Sequence, residues 1–279
     1  GTVSSPKILQ LSGIGPGALL KKFGIPVVID RSDVGGNVQD HYQMRTIVKL
    51  RKNISMNNQV RNPIEIIKMG LNWILRGRGP LTGGAGNVGG GARTKYAVNG
   101  QPDIQFNVMP LSADRPGKPL HKFAGFTAAA WQCHPASRGR IDINSADPSM
   151  DPIILPNYLS EEIDQKTLVE GIKILRQIYR QPAFMELWDS EVIPGDHVVS
   201  DSDILDAARK MGGTVYHYSG SCRMGADKEA VVDATLRVRG IEGLRVVDAS
   251  VMPEITSANI NAPTLMIAEK AADMILKNN

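Results

Sequence analysis

The chain has 279 residues, of which 42% are hydrophobic and 22% are charged, and its formal net charge is +4 at pH 7. A chain of this length can bury a sizeable core as one large or two small domains. Lys and Arg never form a run longer than two residues, and aromatic residues make up only 5% of the chain. This composition argues against a nucleic-acid-binding surface. The sequence also has no hydrophobic stretch long enough to span a bilayer.

The first residues predict a short helix that ends in a glycine turn. Ser4 or Ser5 is expected to cap a helix that runs to Leu11, and Gly13 follows as the residue that stops it. Residues 13–18 read G-I-G-P-G-A, which has the spacing of a dinucleotide-binding fingerprint. The segment follows a helix rather than a strand, so it lacks the context that such a fingerprint needs. Another short helix is predicted over residues 16–22 and a strand over residues 25–29.

The middle of the chain predicts an antiparallel sheet with helices. Alternation of apolar and polar residues indicates strands over residues 44–50, 103–109, 126–133 and 138–144. Helices are predicted over residues 63–75, from residue 160 to just before Pro182, and from Ser200 or Asp201 to about Met211. The helix over residues 63–75 is predicted to be amphipathic, and the residues of its apolar face are Ile64, Ile67, Leu71 and Ile74.

Residues 77–91 form a glycine-rich stretch, and the two cysteines lie outside it. A phosphate-binding loop would need a Lys after these glycines, and none follows. A flexible or closely packed loop beside an active site is the preferred interpretation, because glycine permits a close approach of the backbone. Cys133 and Cys222 fit neither a metal-binding spacing nor a disulfide framework, and we expect both to be buried free thiols.

The last part of the chain predicts a strand, a long loop and a helix. Residues 244–248 are a short apolar run closed by Asp248, which is typical of a buried strand that ends at a ligand crevice. A helix that begins near Asn261 and Pro263 and runs to about Ile275 would direct free N–H groups toward an anion or an electron-rich ring. Asn259 precedes it with an amide that can both donate and accept. An ordinary helix N-terminus remains the alternative.

His217 lies among aromatic and small residues, in the segment T-V-Y-H-Y-S-G-S-C-R-M-G over residues 214–225. A histidine in such a setting can act as a general base whose surroundings set its pKa. A buried histidine satisfied by hydrogen bonds is the alternative that the residues alone leave open.

Several segments of this sequence resemble motifs of the glucose–methanol–choline (GMC) flavin oxidoreductases. The opening G-T-V-S-S-P-K-I-L-Q-L-S-G-I-G-P is similar to a signature of that family, and V-G-G-N-V-Q-D-H over residues 34–41 resembles another. S-R-G-R, S-A-D-P and P-N-Y-L in residues 137–159 resemble its middle block. The motifs span nearly the whole chain in the family's order, so the chain is identified as similar to the C-terminal half of such an enzyme.

The resemblance implies roles for particular residues. His217 would be the catalytic base, and Asn259 would be its partner on the loop before the last helix. FAD would contact two groups of residues, which are Asp248, Ala249 and Ser250 after the predicted strand, and Asn261, Pro263 and Thr264 at the helix start. Asp40 and His41 would lie against the flavin domain in a structural role. No metal site is expected.

The resemblance also implies an α+β architecture of two domains. Residues 1–40 and 226–279 would form the C-terminal portion of an FAD-binding domain. Residues 41–225 would form a substrate-binding domain whose antiparallel sheet roofs the flavin. The candidates for the substrate pocket are Gln105, Asn107, Trp131, Gln132 and Tyr216, although ordinary packing is the alternative for each strand residue alone.

The expected activity is the FAD-dependent oxidation of a small alcohol to the aldehyde, with hydride transfer to flavin N5. The sequence lacks the N-terminal βαβ unit that binds the ADP part of FAD. We therefore expect a fragment whose FAD-binding half is supplied by the same or a separate chain. The electron acceptor is left open. The rival interpretations are a redox-silent lyase of the hydroxynitrile lyase type, and a non-catalytic half that is active only with a partner polypeptide.

Overall fold

The structure is a computed structural model that describes residues 1–84, 86, 88–115 and 117–277. It mixes helices and strands, which confirms the predicted α+β class. The helices are α1 (Ser4–Leu11), α2 (Gly17–Lys22), α3 (Met56–Gln59), α4 (Pro63–Arg76), α5 (Glu162–Tyr179), α6 (Pro182–Met185), α7 (Asp201–Met211) and α8 (Asn261–Leu276), with 3-10 turns at Pro80–Thr82 and Ala249–Val251. The strands are β1 (Ile14–Gly15), β2 (Ile29–Asp30), β3 (Tyr42–Leu50), β4 (Val88–Ala92), β5 (Ile104–Met109), β6 (Gly125–Gln132), β7 (Arg140–Asp142), β8 (Ile153–Leu155), β9 (Trp188–Ile193) and β10 (Gly213–Thr214).

The chain divides into two compact units. Unit 1 comprises Gly1–His41, Cys133–Asp164 and Thr214–Asn279, and unit 2 comprises Tyr42–Gln132 and Gln165–Gly213. Residues 133–164 and 214–225 therefore belong to unit 1, whereas the sequence grouped them with the substrate-binding domain. The chain leaves unit 1 and returns to it twice.

The first helix of unit 1 has the predicted bounds but not the predicted cap. Its N-cap residue is Val3, and no side chain caps it. Ser5 Oγ instead donates to Asp248 Oδ2 at 2.6 Å, so the capping prediction for Ser4 or Ser5 is wrong. Gly13 ends the helix with a φ of +83°. An added Cβ there would lie 2.4 Å from Pro26 O, so only glycine fits this turn.

Two predicted strands of unit 1 are shorter than expected or absent. In place of the strand predicted over residues 25–29, the structure has only the two-residue strand β2. Its partner β1 is equally short, because Pro16 follows it directly and has no N–H to donate. Residues 244–248 form no strand. Val238 N donates to Leu244 O and Val246 N donates to Leu236 O. These two bonds form an isolated antiparallel bridge between Arg237 and Arg245 rather than a parallel ladder, so the predicted buried parallel strand is wrong.

The core of unit 1 is a cluster of buried aliphatic side chains around Cys222. Cys133 is also buried, and both cysteines are free, which confirms that prediction. The buried members of the cluster are Leu9, Ile14, Val34, Cys222, Val231, Val232, Leu236, Val238, Val246, Val251 and Ala271.

Unit 2 is built on an antiparallel sheet in which β3 pairs with both β9 and β6, β6 with β5, and β5 with β4. This sheet confirms the strands predicted over residues 44–50, 103–109 and 126–133. Helix α5 packs on one face, where a Cβ added at Gly171 would lie 2.6 Å from Ile104 Cδ1. On the same face the rings of Phe126 and Tyr179 meet edge to face with centroids 5.8 Å apart.

The other predicted segments of unit 2 are partly confirmed. Helix α4 begins after Asn62, whose side chain accepts from Ile64 N, and ends at Gly77 with a φ of +59°. Its predicted apolar face, which comprises Ile64, Ile67, Leu71 and Ile74, is exposed. No residue of α4 is buried by the part of the chain that the structure describes.

The glycine-rich stretch over residues 77–91 is not one loop. Its end forms β4, whose glycines pair through the backbone with β5, while Ala85 and Asn87 lie outside the described residues. Among the helices that the structure describes, none is both long and apolar enough to cross a bilayer.

Candidate active site

Two side chains predicted from distant parts of the sequence meet in unit 1. Asn259 Nδ2 lies 3.1 Å from His217 Nε2. The backbone immediately before His217 is unusual, because Tyr216 has a φ of +64°. Residues other than glycine rarely adopt this left-handed conformation. Tyr216 N donates to Thr214 Oγ1 at 2.7 Å, which holds this tight turn. The side chain of Tyr216, a candidate for the pocket, is 76% exposed.

The other ring nitrogen of His217 contacts a second histidine. His217 Nδ1 lies 2.9 Å from His41 Nδ1, and the two rings meet edge to face at an interplanar angle of 84°. His41 Nε2 in turn lies 2.9 Å from the carbonyl oxygen of Cys133. His41 is fully buried and His217 is 9% exposed. The two imidazoles and a backbone carbonyl thus form a continuous hydrogen-bonded chain.

This chain fixes the position of each proton. The Cys133 carbonyl can only accept, so His41 Nε2 carries a hydrogen. Burial lowers the pKa of His41 to about 4, so the ring is neutral at pH 7 and its Nδ1 accepts. His217 Nδ1 must then donate. In a neutral His217 ring the remaining nitrogen, Nε2, is unprotonated, and it faces the amide of Asn259.

The electrostatic surroundings keep His217 neutral. Its burial lowers the pKa of the ring below the ordinary value, because a charged imidazolium would lose hydration. Its Nε2 is therefore available as a proton acceptor at neutral pH. Its second neighbour, His41, cannot compete for that proton, because the acceptor nitrogen of His41 is already bonded to His217.

Asp40 anchors the backbone around this pair. Asp40 Oδ1 accepts from His217 N at 2.8 Å, and Asp40 Oδ2 accepts from Thr214 Oγ1 and Tyr158 OH at 2.5 Å each. Burial raises the pKa of Asp40, and these donated hydrogen bonds limit the rise. The carboxylate therefore joins three separate segments of unit 1 and holds His217 in place.

The first group of predicted cofactor residues lies on the 3-10 turn after Asp248. The Asp248 side chain accepts from Ser250 N at 2.7 Å and from Ser5 Oγ. Ala249 and Ser250 are buried. Their carbonyl oxygens accept from Gly220 N and Cys222 N respectively. This turn is thus tied to the segment that continues from His217.

The second group lies at the N-terminus of α8, which begins at Asn261 after an N-cap residue, Ile260, that provides no side-chain hydrogen bond. Thr264 Oγ1 donates to Ile260 O at 2.6 Å. The first N–H groups of the helix are left without a side-chain cap, a state that suits an electron-rich ligand. Pro263 also lines a mainly apolar cavity of about 290 Å³. The uncapped N–H groups, rather than the cavity, suit the electron-rich edge of a flavin ring.

The remaining candidates lie in unit 2. Gln105 and Trp131 are direct partners in the register of β5 and β6, and Asn107 follows Gln105 on the same face of β5. Gln132 lies on the opposite face, opposite Ile104. Trp131 Nε1 and Asn107 Oδ1 are buried and have no hydrogen-bond partner among the described residues.

Sequence reasoning did not place His41 against His217. It gave Asp40 and His41 a structural role, and the signal that could have linked them was the resemblance of residues 34–41 to a family motif. His41 and His217 are 176 positions apart, and such a spacing does not indicate a contact between their rings. No cluster of three or more His, Cys, Asp or Glu side chains suited to a metal ion occurs within the described ranges.

Comparison with known proteins relates the chain to one family. Residues 135–268 match the family model for the C-terminal region of GMC oxidoreductases. The chain is 41% identical over 278 residues to an oxygen-dependent choline dehydrogenase from Burkholderia ambifaria (strain MC40-6), with 99% of this chain and 48% of that protein covered. It is 42% identical over 277 residues to the Paraburkholderia phymatum enzyme of the same name, with the same coverage. The chain thus spans about half the length of the curated relatives it matches.

Solved structures give the same relationship. A variant of formate oxidase from Aspergillus oryzae RIB40, studied for FAD modification, superposes with a TM-score of 0.93 at 26% identity, covering 100% of this chain and 53% of that one. Pyridoxine 4-oxidase from Mesorbium loti superposes with a TM-score of 0.81 at 28% identity, covering 98% of this chain and 49% of that one.

Proposed function

We propose, from the premise that this chain carries a GMC oxidoreductase domain over residues 135–268, that it is the C-terminal half of an FAD-dependent enzyme that oxidises an alcohol. The other half, which would bind the ADP part of FAD, is supplied by the same or a separate chain. Support for this partner comes from the curated relatives, since 48% of their length is covered. Support for an alcohol comes from the names of the relatives, which are choline dehydrogenases.

The observation that carries this proposal is the unprotonated Nε2 of His217 next to the Asn259 amide, 3.1 Å away. A substrate hydroxyl that enters here can donate its proton to Nε2 while its oxygen accepts from Asn259 Nδ2. Deprotonation by a neutral, positioned imidazole is general-base catalysis. Asn259 holds the oxygen in line and stabilises the negative charge that develops on it.

The residues that would hold FAD are the two groups described above. These are Asp248, Ala249 and Ser250 on the 3-10 turn, and Asn261, Pro263 and Thr264 at the start of α8. When bound, FAD supplies the acceptor for the hydride that leaves the alcohol carbon. The uncapped start of α8 stabilises negative charge through its free N–H groups and the helix dipole.

Replacement of His217 tests this function. In the flavin-loaded protein, His217→Ala should lower the anaerobic rate of flavin reduction by an alcohol at least about a hundredfold, because general-base catalysis usually contributes that much. Stopped-flow absorbance at the flavin band measures the rate. His197→Ala is the matched control, since His197 is an exposed histidine of unit 2.

Two results would contradict the proposal. A reduction rate for His217→Ala within a few-fold of the wild-type rate removes His217 as the base. Release of cyanide from a cyanohydrin without flavin bleaching would indicate the lyase reaction instead.

A further inference from the structure

One face of the unit 2 sheet carries an unusual row of residues. Directly opposed residues of antiparallel strands share a face. Arg45 is opposite Ala129, Ala129 is opposite Asn107, and Trp131 is the next residue on this face of β6. No side chain longer than a methyl group stands between Arg45 and Asn107 in this row. This is the face opposite to the one on which α5 packs.

Three polar atoms on this face lack partners. Arg45 Nε, Asn107 Oδ1 and Trp131 Nε1 are shielded from solvent, and none has a hydrogen bond to a residue that the structure describes. Buried polar groups in folded proteins are almost always paired, and a cluster of exceptions needs a reason. Two of these atoms are donors and one is an acceptor, so a ligand that carries both acceptor and donor groups would complement them.

Arg45 is the charged member of this group. Within the part of the chain that the structure describes, its one hydrogen bond is from Nη2 to Ala113 O at 3.4 Å, and it forms no ion pair with an Asp or Glu. Arg176 of the same unit differs, since it meets Glu191 through Nε and Nη2. Burial lowers the pKa of Arg45, but a guanidinium remains charged in proteins. A half-buried guanidinium without a counterion favours a carboxylate, which matches its planar pair of N–H groups.

We propose that this face of unit 2 binds a ligand that carries a carboxylate rather than a quaternary ammonium group. Arg45 pairs with the carboxylate, the Trp131 N–H donates to a ligand oxygen, and the Asn107 carbonyl oxygen accepts from a further ligand hydroxyl. The ligand class is thus a hydroxylated carboxylic acid. The inference stands on the residues of unit 2 alone and does not depend on the proposed function.

Binding can be tested without turnover by probes that carry no hydroxyl group. Pentanoate, pentanamide and butyltrimethylammonium have similar sizes and differ in charge, and calorimetry on the flavin-loaded wild-type protein measures each Kd. We expect pentanoate to bind at least about tenfold more tightly than pentanamide, since hydrogen bonds to charged groups exceed neutral ones by about that factor. Equal affinities, or tightest binding of the cation, would overturn the proposal, and this comparison needs no variant.

Arg45→Met then tests the residue. It should weaken pentanoate about 10- to 100-fold and leave the Kd of pentanamide within about threefold, because only the charged partner is lost. Arg45→Lys should recover part of the loss, since it keeps the charge but not the fork of N–H groups. Arg51→Met, at an exposed position just after β3, is the control for net charge. Equal weakening of both probes by Arg45→Met contradicts the proposal.

The two proposals can fail separately. If pentanoate binds through Arg45 but no alcohol reduces the flavin, the proposed function is wrong and the carboxylate site remains. If alcohols reduce the flavin regardless of their charge, and Arg45→Met changes nothing, the carboxylate site is wrong and the oxidation remains.

Discussion

The contact between His41 and His217 determines which nitrogen of His217 can act as a base. Because His41 Nε2 donates to the Cys133 carbonyl at 2.9 Å, its Nδ1 accepts and the proton of His217 stays on Nδ1. Without this contact the His217 ring could take the other tautomer, with Nε2 protonated and unable to accept from a substrate. In the proposed mechanism His41 is thus a positioning residue that acts through His217.

Replacement of His41 should change both the rate and its pH dependence. His41→Leu removes the acceptor, and we expect kcat/KM with an alcohol to fall about 10- to 100-fold, by analogy with the partners that orient metal-binding histidines. Loss of the buried ring also admits water, so the apparent pKa of His217 should rise toward the ordinary value of about 6.5. Steady-state pH profiles measure both changes.

A conservative variant distinguishes loss of the orientation of the His217 ring from general disruption of the fold. His41→Gln keeps an acceptor near His217 Nδ1 and should restore part of the rate. An unchanged rate and profile for His41→Leu would show that His41 does not orient His217.

At this scale the sequence predicted one of the contacts of His217 but not the other. Motif resemblance predicted Asn259 as the partner of His217, and the structure brings the two side chains within 3.1 Å; their catalytic roles stay a prediction. The His41 contact was not predicted, because ring orientation depends on the carbonyl of Cys133, 92 residues away in the chain. The lack of a counterion for Arg45 among the described residues was likewise not predictable, since it appears only when the neighbouring residues are placed.

Among the elements, α5 and β9 are joined by a buried ion pair. Arg176 Nη2 lies 2.5 Å from Glu191 Oε1, and their side chains are 10% and 0% exposed. Tyr179 OH donates to Glu191 Oε2 at 2.6 Å. The carboxylate is therefore fully surrounded by donors from α5, and loss of one donor leaves a buried charge underpaired.

Arg176→Met should lower the free energy of unfolding by about 3–5 kcal/mol, because it leaves the buried carboxylate of Glu191 without its counterion. The double variant Arg176→Met/Glu191→Gln should lose less, since no charge is then buried. Arg180→Met is the matched control: its pair with Asp196 has side chains 44% and 48% exposed, and its loss should cost about 1 kcal/mol or less. Chemical denaturation measures all three, and equal losses for Arg176→Met and Arg180→Met would contradict this account.

Helices and strands were predicted correctly where the sequence carried a specific local motif, such as a helix N-cap. Helix α7 was predicted together with its N-cap. The structure confirms the cap, since Ser200 Oγ accepts from Asp203 N. The strand over residues 244–248 failed, since an apolar run specifies burial but not a partner strand. The apolar face of α4 was predicted correctly as a pattern, yet amphipathicity does not identify what covers a helix.

For the whole molecule, the buried histidines link stability to pH. The pKa of His41 is about 4 in the folded protein and about 6.5 when unfolded. Between these values the unfolded chain binds a proton that the folded one does not. The stabilisation is complete above pH about 6.5 and is lost as pH falls to about 4, by about 3 kcal/mol in total.

We therefore expect the denaturation midpoint of the wild-type protein to fall more steeply than that of His41→Gln between pH 6.5 and 4. Urea titrations at several pH values measure the difference. Parallel curves for the two proteins would show that His41 titrates normally in the folded state.

At this scale the sequence predicted the fold class and the resemblance to GMC oxidoreductases, because several motifs occur in order along the chain. It did not predict the positions at which the chain passes from one unit to the other. Residues 133–164 were grouped with the sheet because they include a strand-like segment, but β7 pairs with β8 rather than with the unit 2 strands.

The chain passes from unit 1 to unit 2 directly after His41, and it re-enters unit 1 at Cys133 and again at Thr214. Each of these three residues takes part in the hydrogen bonds that hold His217. A chimera that replaces residues 42–132 and 165–213 with those of a relative would keep every group of this proton chain. Such a chimera would thus inherit the tautomer of His217 together with the hydrogen bonds that fix it.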